Sequence, residues 1–357
     1  MADSGGHWST LAEAQKLTQS LKIPGVFEED IKRNNPIDRV AIAQAARSGL
    51  KFEWLQEATV LEDQVVEVDI GESLSWTEDV TYTEKESELK RVYIQRKLDH
   101  FVEGIYGTYN NYEARVLLEA EKGLKRKLGT RLIYADTTYG SSKQFDGYHA
   151  LAAEHGAAYD SSNLGNDPKN IDNGEAGLSL AYLRIMIDEM KHGVSEILSS
   201  FNIIRHMDAA YQEKGFAGLA TGTAGNLGFI QLGYNDLGKR VLFWDGIPIG
   251  RTDFLVAEQA NTGTGGSSDA RALRTSGDRQ YSLIAVKYGM VPNMEPGICF
   301  AFGNTEGQGD LYKLVRFPEL EDYDAGGIRL VTYGSVLLGS TLCLGRIFDI
   351  EDVAVTT

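Results

Sequence analysis

The stretch of this chain that comes nearest to phosphate chemistry is a glycine-lysine turn, GYNDLGKR, over Gly233–Arg240. It matches the spacing G-x-x-x-x-G-K, in which backbone N–H groups cradle phosphates and the lysine reaches the outer ones. Two features spoil the match. Arg240 stands where a Ser or Thr would hold magnesium. The following VLFW reads as strand, whereas such a loop must open into a helix to aim its N–H groups at the phosphate. A hairpin turn is expected instead. The glycines of ATGTAGNLG (220–228) are spaced G-x-x-G-x-x-G, and Gly263, Gly265 and Gly266 sit in a polar run. Both read as loops.

The six histidines (His7, His100, His149, His155, His192 and His206) are scattered. His149 and His155, with Asp146 and Glu154 nearby, are the one grouping that resembles a metal site. A spacing of six does not put both imidazoles on one helical face, as an i,i+4 pair would. The carboxylate pairs Glu319/Glu321 and Glu351/Asp352 read as solvated charge. There is no G-x-S-x-G and no C-x-x-C. The chain is therefore expected not to be an enzyme and to need no metal or cofactor. Cys299 and Cys343 are the only cysteines. Both lie in apolar β-like runs, where buried free thiols are expected. That usage fits a reducing compartment.

The elements that would carry any function are clearer. Tyr112, Val116, Ala120, Leu124 and Leu128 recur every fourth residue, with Leu117 and Leu132 beside them. This is one apolar stripe at helical period, predicting a helix over 109–129. Asn110 or Asn111 can cap it. Glu113 early and Lys125, Arg126 and Lys127 late suit the helix dipole. Gly129 is placed as the C-terminal residue. Gly123, costly inside a helix by about 1 kcal/mol, suggests close approach of another chain. RLIYAD (131–136) is expected as a strand, 145–156 as a short apolar element ended by Gly156, and 158–177 as loop.

Before the long helix, helical pieces are expected at 9–22, 26–34 and 37–48, punctuated by Pro24 and Pro36. From 53 to 88 the chain alternates β-branched with acidic residues around Gly71, which predicts a two-stranded ribbon with little core of its own. The segment 89–107 continues as strand and then a helical turn. After it come a helix at 178–190, a strand EILSS at 196–200 and a helix at 201–214, an α/β unit. A long polar loop at 260–279 and a β-rich final third complete an α+β chain.

The 357 residues carry 51 acidic and 35 basic side chains, a net charge of −16. Gripping nucleic acid needs the opposite sign, because phosphate neutralisation supplies most of the affinity. A wall around a polymer has no such need. Hydrophobic content of 42% with 24% charged residues is globular. No apolar run approaches the ~20 residues of a membrane helix, and MADSGGHWST does not read as a secretory signal.

This order of segments resembles the major capsid protein of tailed bacteriophages of the Hong Kong 97 type, over roughly 10–355. YADTTYGSSKQFDG (134–147) is similar to the segment that follows the family's spine helix. GIPIGRTDFL (246–255) is similar to an A-domain strand and turn, and GGIRLVTYGSVLLGSTLCLGRIFDIEDV (326–353) to the closing strands. The resemblance implies an N-terminal arm (1–50) and an E-loop (51–90). It implies a P-domain (91–177 and 315–348, spine helix 109–129) and an A-domain (178–314 and 349–357). It implies a subunit that assembles with itself into hexamers and pentamers of an icosahedral virion shell in the host cytoplasm. That shell would enclose double-stranded DNA, with a portal and a possible decoration protein. No coiled-coil segment precedes the arm, so a separate scaffolding protein is implied.

Two other readings stand beside it. One is an encapsulin, a cellular compartment of the same fold. The other is an α/β enzyme using the glycine-rich 215–240 region. For a shell, the expected inter-subunit contact pairs an acidic set on the ribbon (Glu72, Glu78, Asp79, Glu84 and Glu86) with a basic set on the long helix (Lys122, Lys125, Arg126, Lys127 and Arg131).

Overall fold

The computed structural model describes residues 28–45, 51–57, 65–73, 76, 81–102, 112–138, 143–220, 230–234, 240–258, 279–303, 311–321 and 324–356. The apolar stripe forms helix α1, Tyr112–Tyr134, and buries Ala120, Leu124, Leu128 and Leu132 on one face. The helix runs further than its sequence suggested. Arg131–Tyr134 is its last turn and not a strand, because Leu132, Ile133 and Tyr134 continue into the main core. The proposed caps Asn110 and Asn111 lie outside the described residues.

Gly129 is mid-helix and buried, not a terminator. A Cβ there would collide with the Asn35 side chain and press on Phe254. Asn35 needs that space: its amide donates to the Lys125 carbonyl at 2.8 Å while its oxygen accepts from Ile37 N at 3.2 Å. At Gly123 a Cβ would lie 3.7 Å from Ile94, an ordinary contact. Gly129→Ala is therefore expected to cost roughly 1–3 kcal/mol by overpacking. Gly123→Ala should add up to about 1 kcal/mol of helix propensity. Urea unfolding of the two variants checks the opposite signs. Assembly lost in Gly123→Ala without lost stability would place another chain against that residue.

Residues 28–40 are stitched down by Arg33–Asp253 (3.2 Å), Asn34 to the Arg251 carbonyl (2.6 Å) and an Arg39–Glu196 ion pair. Helices were expected at 26–34 and 37–48. The chain instead forms one 3-10 turn, Pro36–Asp38, and a strand β1, Ala41–Ala45. Sheet pairing overrides alanine's helix preference here. β1 runs parallel beside β12, Ile298–Gly303. The expected helix at 9–22 lies outside the described residues.

Strands β2 (Lys51–Glu57) and β3 (Tyr82–Glu88) form the ribbon, and β4 (Lys90–Asp99) leads back into the body. β4 pairs along β14 (Ala325–Leu338), which also pairs with β12 and with β13 (Lys313–Phe317). This makes a five-stranded sheet. Its faces divide with period two. Phe300, Phe302, Leu330, Val336 and Leu338 join α1 in the main core. Cys299, Ala301 and Leu337 point the other way, under Phe52 and Trp54 of the ribbon base.

Helix α2, Tyr148–Ala153, follows the loop after α1, and Gly156 ends that segment at φ +101° as expected. Residues 158–177 are not loop. They hold β5 (Ala158–Tyr159) and β6 (Asp167–Ala176), the edge strand and its neighbour in an eight-stranded sheet. Its polar sequence hid it, because Asn170 and Asn173 are buried with hydrogen-bond partners. The sheet also holds β7 (Glu196–Ser199), β8 (Ile230–Tyr234), β9 (Arg240–Trp244), β10 (Ile247–Arg251), β11 (Gln280–Val286) and β15 (Leu344–Glu351).

One face of this sheet presents Leu198, Ile284 and Val286 to the core of α1. The other presents Ile197, Leu283, Ala285 and Ile347 to α3 (Leu180–Glu189) and α4 (Phe201–Ala220). Burial on both faces explains the consecutive apolar residues Ile197 and Leu198 of β7 and Leu283, Ile284, Ala285 and Val286 of β11. Ser179 caps α3 through Tyr182 N, 3.4 Å away. The expected polar loop at 260–279 lies almost wholly outside the described residues.

Candidate assembly surfaces

The chemistry-bearing motifs among the described residues are taken up by the fold, while His7 and the glycines of 220–228 and 263–266 lie outside them. Gly233 and Tyr234 lie on β8 and Arg240 on β9, and the two strands pair antiparallel with Tyr234 opposite Arg240. That antiparallel pairing agrees with the expected hairpin, whose connecting residues 235–239 lie outside the described residues. His149 and His155 point to different partners. His149 Nδ1 lies 3.0 Å from Arg346, and His155 Nε2 bonds the Leu344 carbonyl at 3.1 Å. Among the described residues no group of three or more His, Cys, Asp or Glu could hold a metal ion. Cys299 and Cys343 are free and buried. Burial pushes both thiols up, Cys343 to about 11.

The ribbon has two distinct parts. Its base is fastened to its own subunit. Gln56 donates to the Gly339 carbonyl (2.9 Å), Ser87 to the Val336 carbonyl (3.1 Å), and Lys85 pairs with Glu154 (3.2 Å). The described tip is not fastened. Val65, Val66, Val68, Ile70 and Trp76 are exposed, Ile70 and Trp76 fully so. A turn closed by Glu72 N to the Asp69 carbonyl, with Gly71 at φ +106°, holds the tip. Apolar side chains interleaved with Glu67, Asp69 and Glu72 make it both sticky and acidic. Scattered exposed apolar residues are ordinary, but a contiguous set on a projecting hairpin marks a contact surface.

Among the described residues, the acids of the first set and the cations of the second take other partners or lie apart within one chain. Glu72 sits at the tip turn, and Glu84 is exposed on β3 opposite Leu55. Glu86 is held by Lys51 at 2.7 Å, and that carboxylate raises the lysine's pKa. Glu78 and Asp79 lie outside the described residues. On α1, Lys122 and Arg126 both clasp Glu28 at 2.7 Å. The Lys122 hydrogen bond, helped by the charge of both cations, holds the Glu28 carboxyl below its usual range. Lys125 pairs with Glu121 at 3.3 Å, and Arg131 donates to Gln144 at 2.7 Å. Lys127 is exposed.

A second cationic surface was not visible in the sequence. Strand register puts Arg91, Tyr93, Gln95 and Lys97 of β4 on one sheet face with Arg329, Val331 and Tyr333 of β14. Lys313, Val315 and Phe317 of β13 share that face. It is the face that the ribbon base covers further along. Arg91 lies over Tyr93 (5.5 Å to the ring centre) and Arg329 over Phe317 (4.8 Å). These residues come together from segments more than two hundred positions apart, so no local run of charge announces them.

No protein-family model matches the chain, and no curated protein matches it in sequence. Solved structures do match in shape over nearly the whole length. The SrpI encapsulin of Synechococcus elongatus superposes with a TM-score of 0.62 at 10% identity, covering 97% of each chain. The capsid of cyanophage A-1(L) gives 0.59 at 12% identity, covering 94% of this chain and 98% of that one. The capsid protein of a native GTA particle gives 0.55 at 11% identity, covering 94% and 97%. The chain has the Hong Kong 97-type capsid fold, in its α+β form.

Proposed function

We propose that this chain is a shell subunit: the major capsid protein that assembles with itself into the icosahedral head of a tailed phage around double-stranded DNA. The observation that carries the reading is the ribbon, anchored at its base and bare at its apolar tip, on a fold that solved shell proteins share over their full length. A hairpin exposing this much apolar surface is stabilised by burial against another copy. On this reading 1–50 is the arm and 51–90 the E-loop. The P-domain is 91–177 with 315–348, and the A-domain 178–314 with 349–357. A separate scaffold, a portal and a decoration protein are the proposed partners, the virion is its location and the host cytoplasm its place of assembly.

The similarity to the SrpI encapsulin favours a second reading, a cellular compartment of the same fold. The contents of purified particles separate the two. Packaged double-stranded DNA supports a phage head, and a defined protein cargo without genomic DNA supports the compartment. Particles that form neither, or a chain that stays monomeric with every candidate scaffold, would count against both.

The ribbon acids and the α1 cations are proposed as a contact between neighbours, in which an incoming Glu84 or Glu72 competes with Glu28. Each exposed pair contributes only about 0.2–1 kcal/mol, yet repetition across every subunit sets register. Joint reversal of Lys125 and Arg126 to Glu is expected to slow assembly several-fold, and reversal of Glu84 and Glu86 to Lys to restore part of it. Light-scattering assembly rates read this out. Equal rates in all variants would move the ribbon's receptor to the β4–β14–β13 face.

A further inference from the structure

The densest buried polar cluster among the described residues lies where α1 and α2 meet the eight-stranded sheet. Glu258, His149 and Arg346 are 0%, 1% and 4% exposed. Glu258 accepts from Tyr134 OH at 2.8 Å and from Ser282 Oγ at 2.7 Å. His149 Nε2 lies 3.2 Å from the same carboxylate, and its ring stacks on Tyr134 at 5.0 Å between centres. Arg346 reaches His149 Nδ1 at 3.0 Å and Asn170 at 2.9 Å. A guanidinium can only donate. His149 Nδ1 must then accept, so its single proton sits on Nε2, facing Glu258. The imidazole is a neutral bridge between a buried cation and a buried anion.

A second histidine lies close to the same cation. His155, two residues beyond the end of α2, gives its Nε2 proton to the Leu344 carbonyl, two residues before Arg346 on β15. Burial, with Lys169 and Arg346 adding to it against the pull of Asp167, brings this imidazole down to about 4. An unfolded histidine titrates near 6.5. The stability His155 contributes is therefore complete above about pH 6.5 and is lost as pH falls towards 4.

We propose that His149 and His155 make the seam between α2 and the eight-stranded sheet proton-sensitive. A second proton on either imidazole sets a new positive charge against the buried Arg346 and releases α2 from β15 and β6. Among the described residues, the pair faces groups from several elements that pack on it. They are Tyr134 from α1, Glu258 from the segment before β11, Ser282 from β11, Asn170, Asp167 and Lys169 from β6, and Arg346 from β15. Among the described residues Glu258 is the carboxylate nearest His149 Nε2, at 3.2 Å without an aligned hydrogen bond, and its compensation is shared already with Tyr134 and Ser282. The device belongs to the single subunit, so it stands or falls independently of shell assembly.

Amide hydrogen exchange on the full-length chain at about pH 7 and about pH 5, corrected for the intrinsic rate, tests it. The expected result is a loss of protection of about tenfold or more in 148–156 and 344–347 at the lower pH, with α3 and β7 unchanged; a single linked proton shifts an opening equilibrium by up to tenfold per pH unit. The double variant His149→Gln/His155→Gln should show equal protection at both pH values. A wild-type seam indifferent to pH, or a double variant that loosens as the wild type does, would overturn the proposal. Imidazole nitrogen NMR on the wild type covers a variant that fails to fold. It should show His149 as the Nε2–H tautomer at neutral pH, with its protonation coinciding with loss of seam protection. An Nδ1–H tautomer, or a titration that leaves the seam intact, would likewise overturn it.

Discussion

Leu124→Asp is expected to leave no soluble folded subunit. Leu124 is 2% exposed at the centre of the α1 stripe, in the core that α1 shares with both sheets. Removing its side chain from that core forfeits about 2–3 kcal/mol of apolar burial. Leaving an unpaired carboxylate there adds several kcal/mol more. Together these consume most of the roughly 5–15 kcal/mol that holds a domain folded. Leu117→Asp should be milder, because Leu117 is only partly buried and its carboxylate can turn to water. Soluble yield and far-UV circular dichroism measure both. A soluble Leu124→Asp with wild-type spectrum would mean that α1 does not pack as described. An equal effect at Leu117 would mean that the stripe is rotated.

The second large effect concerns assembly and spares folding. Ile70→Asp combined with Trp76→Ser removes two fully exposed apolar side chains from the ribbon tip. In the lone subunit they touch little, so unfolding free energy should move by no more than about 0.5 kcal/mol. In a shell every copy loses the same contact, worth about 1.5–3 kcal/mol for each large apolar side chain removed from water. Particle yield should therefore fall at least a hundredfold. Sedimentation of the variant against wild type, alongside urea unfolding of both subunits, reads the two quantities separately. Normal particles with an altered tip would show that the tip is not an assembly contact. A destabilised subunit would show that the tip packs on its own chain.

Those two experiments mark where the sequence was legible. The α1 stripe, the helix now α3, the β7–α4 unit and the closing strands were readable because local periodicity and burial agree there. The end of α1 was missed because Gly129 looks like a terminator. Its meaning is a collision with Asn35, ninety-four residues earlier, which no local pattern records. β6 was missed for a related reason. Its asparagines and lysine read as loop, yet Asn170 is buried because Arg346, from the far end of the chain, requires an acceptor. β1 was read as helix because alanine favours one, and pairing with β12 decided otherwise.

The surface was less legible than the core. The acidic ribbon and the basic run on α1 are local and stood out. That Glu28 already occupies Lys122 and Arg126 depends on where residues 28–40 lie. The cationic sheet face depends on β4, β13 and β14 meeting in register. Surface charge is assembled by topology, so composition alone assigns it poorly.

The central claim is that these chains close into a shell through the exposed ribbon. The most direct measurement is electron microscopy of the purified full-length chain, with and without a candidate scaffold. The account predicts closed, hollow particles of uniform diameter, with each ribbon tip resolved against a neighbouring subunit. A chain that remains monomeric under all conditions, or particles in which residues 65–72 touch only their own subunit, would contradict it.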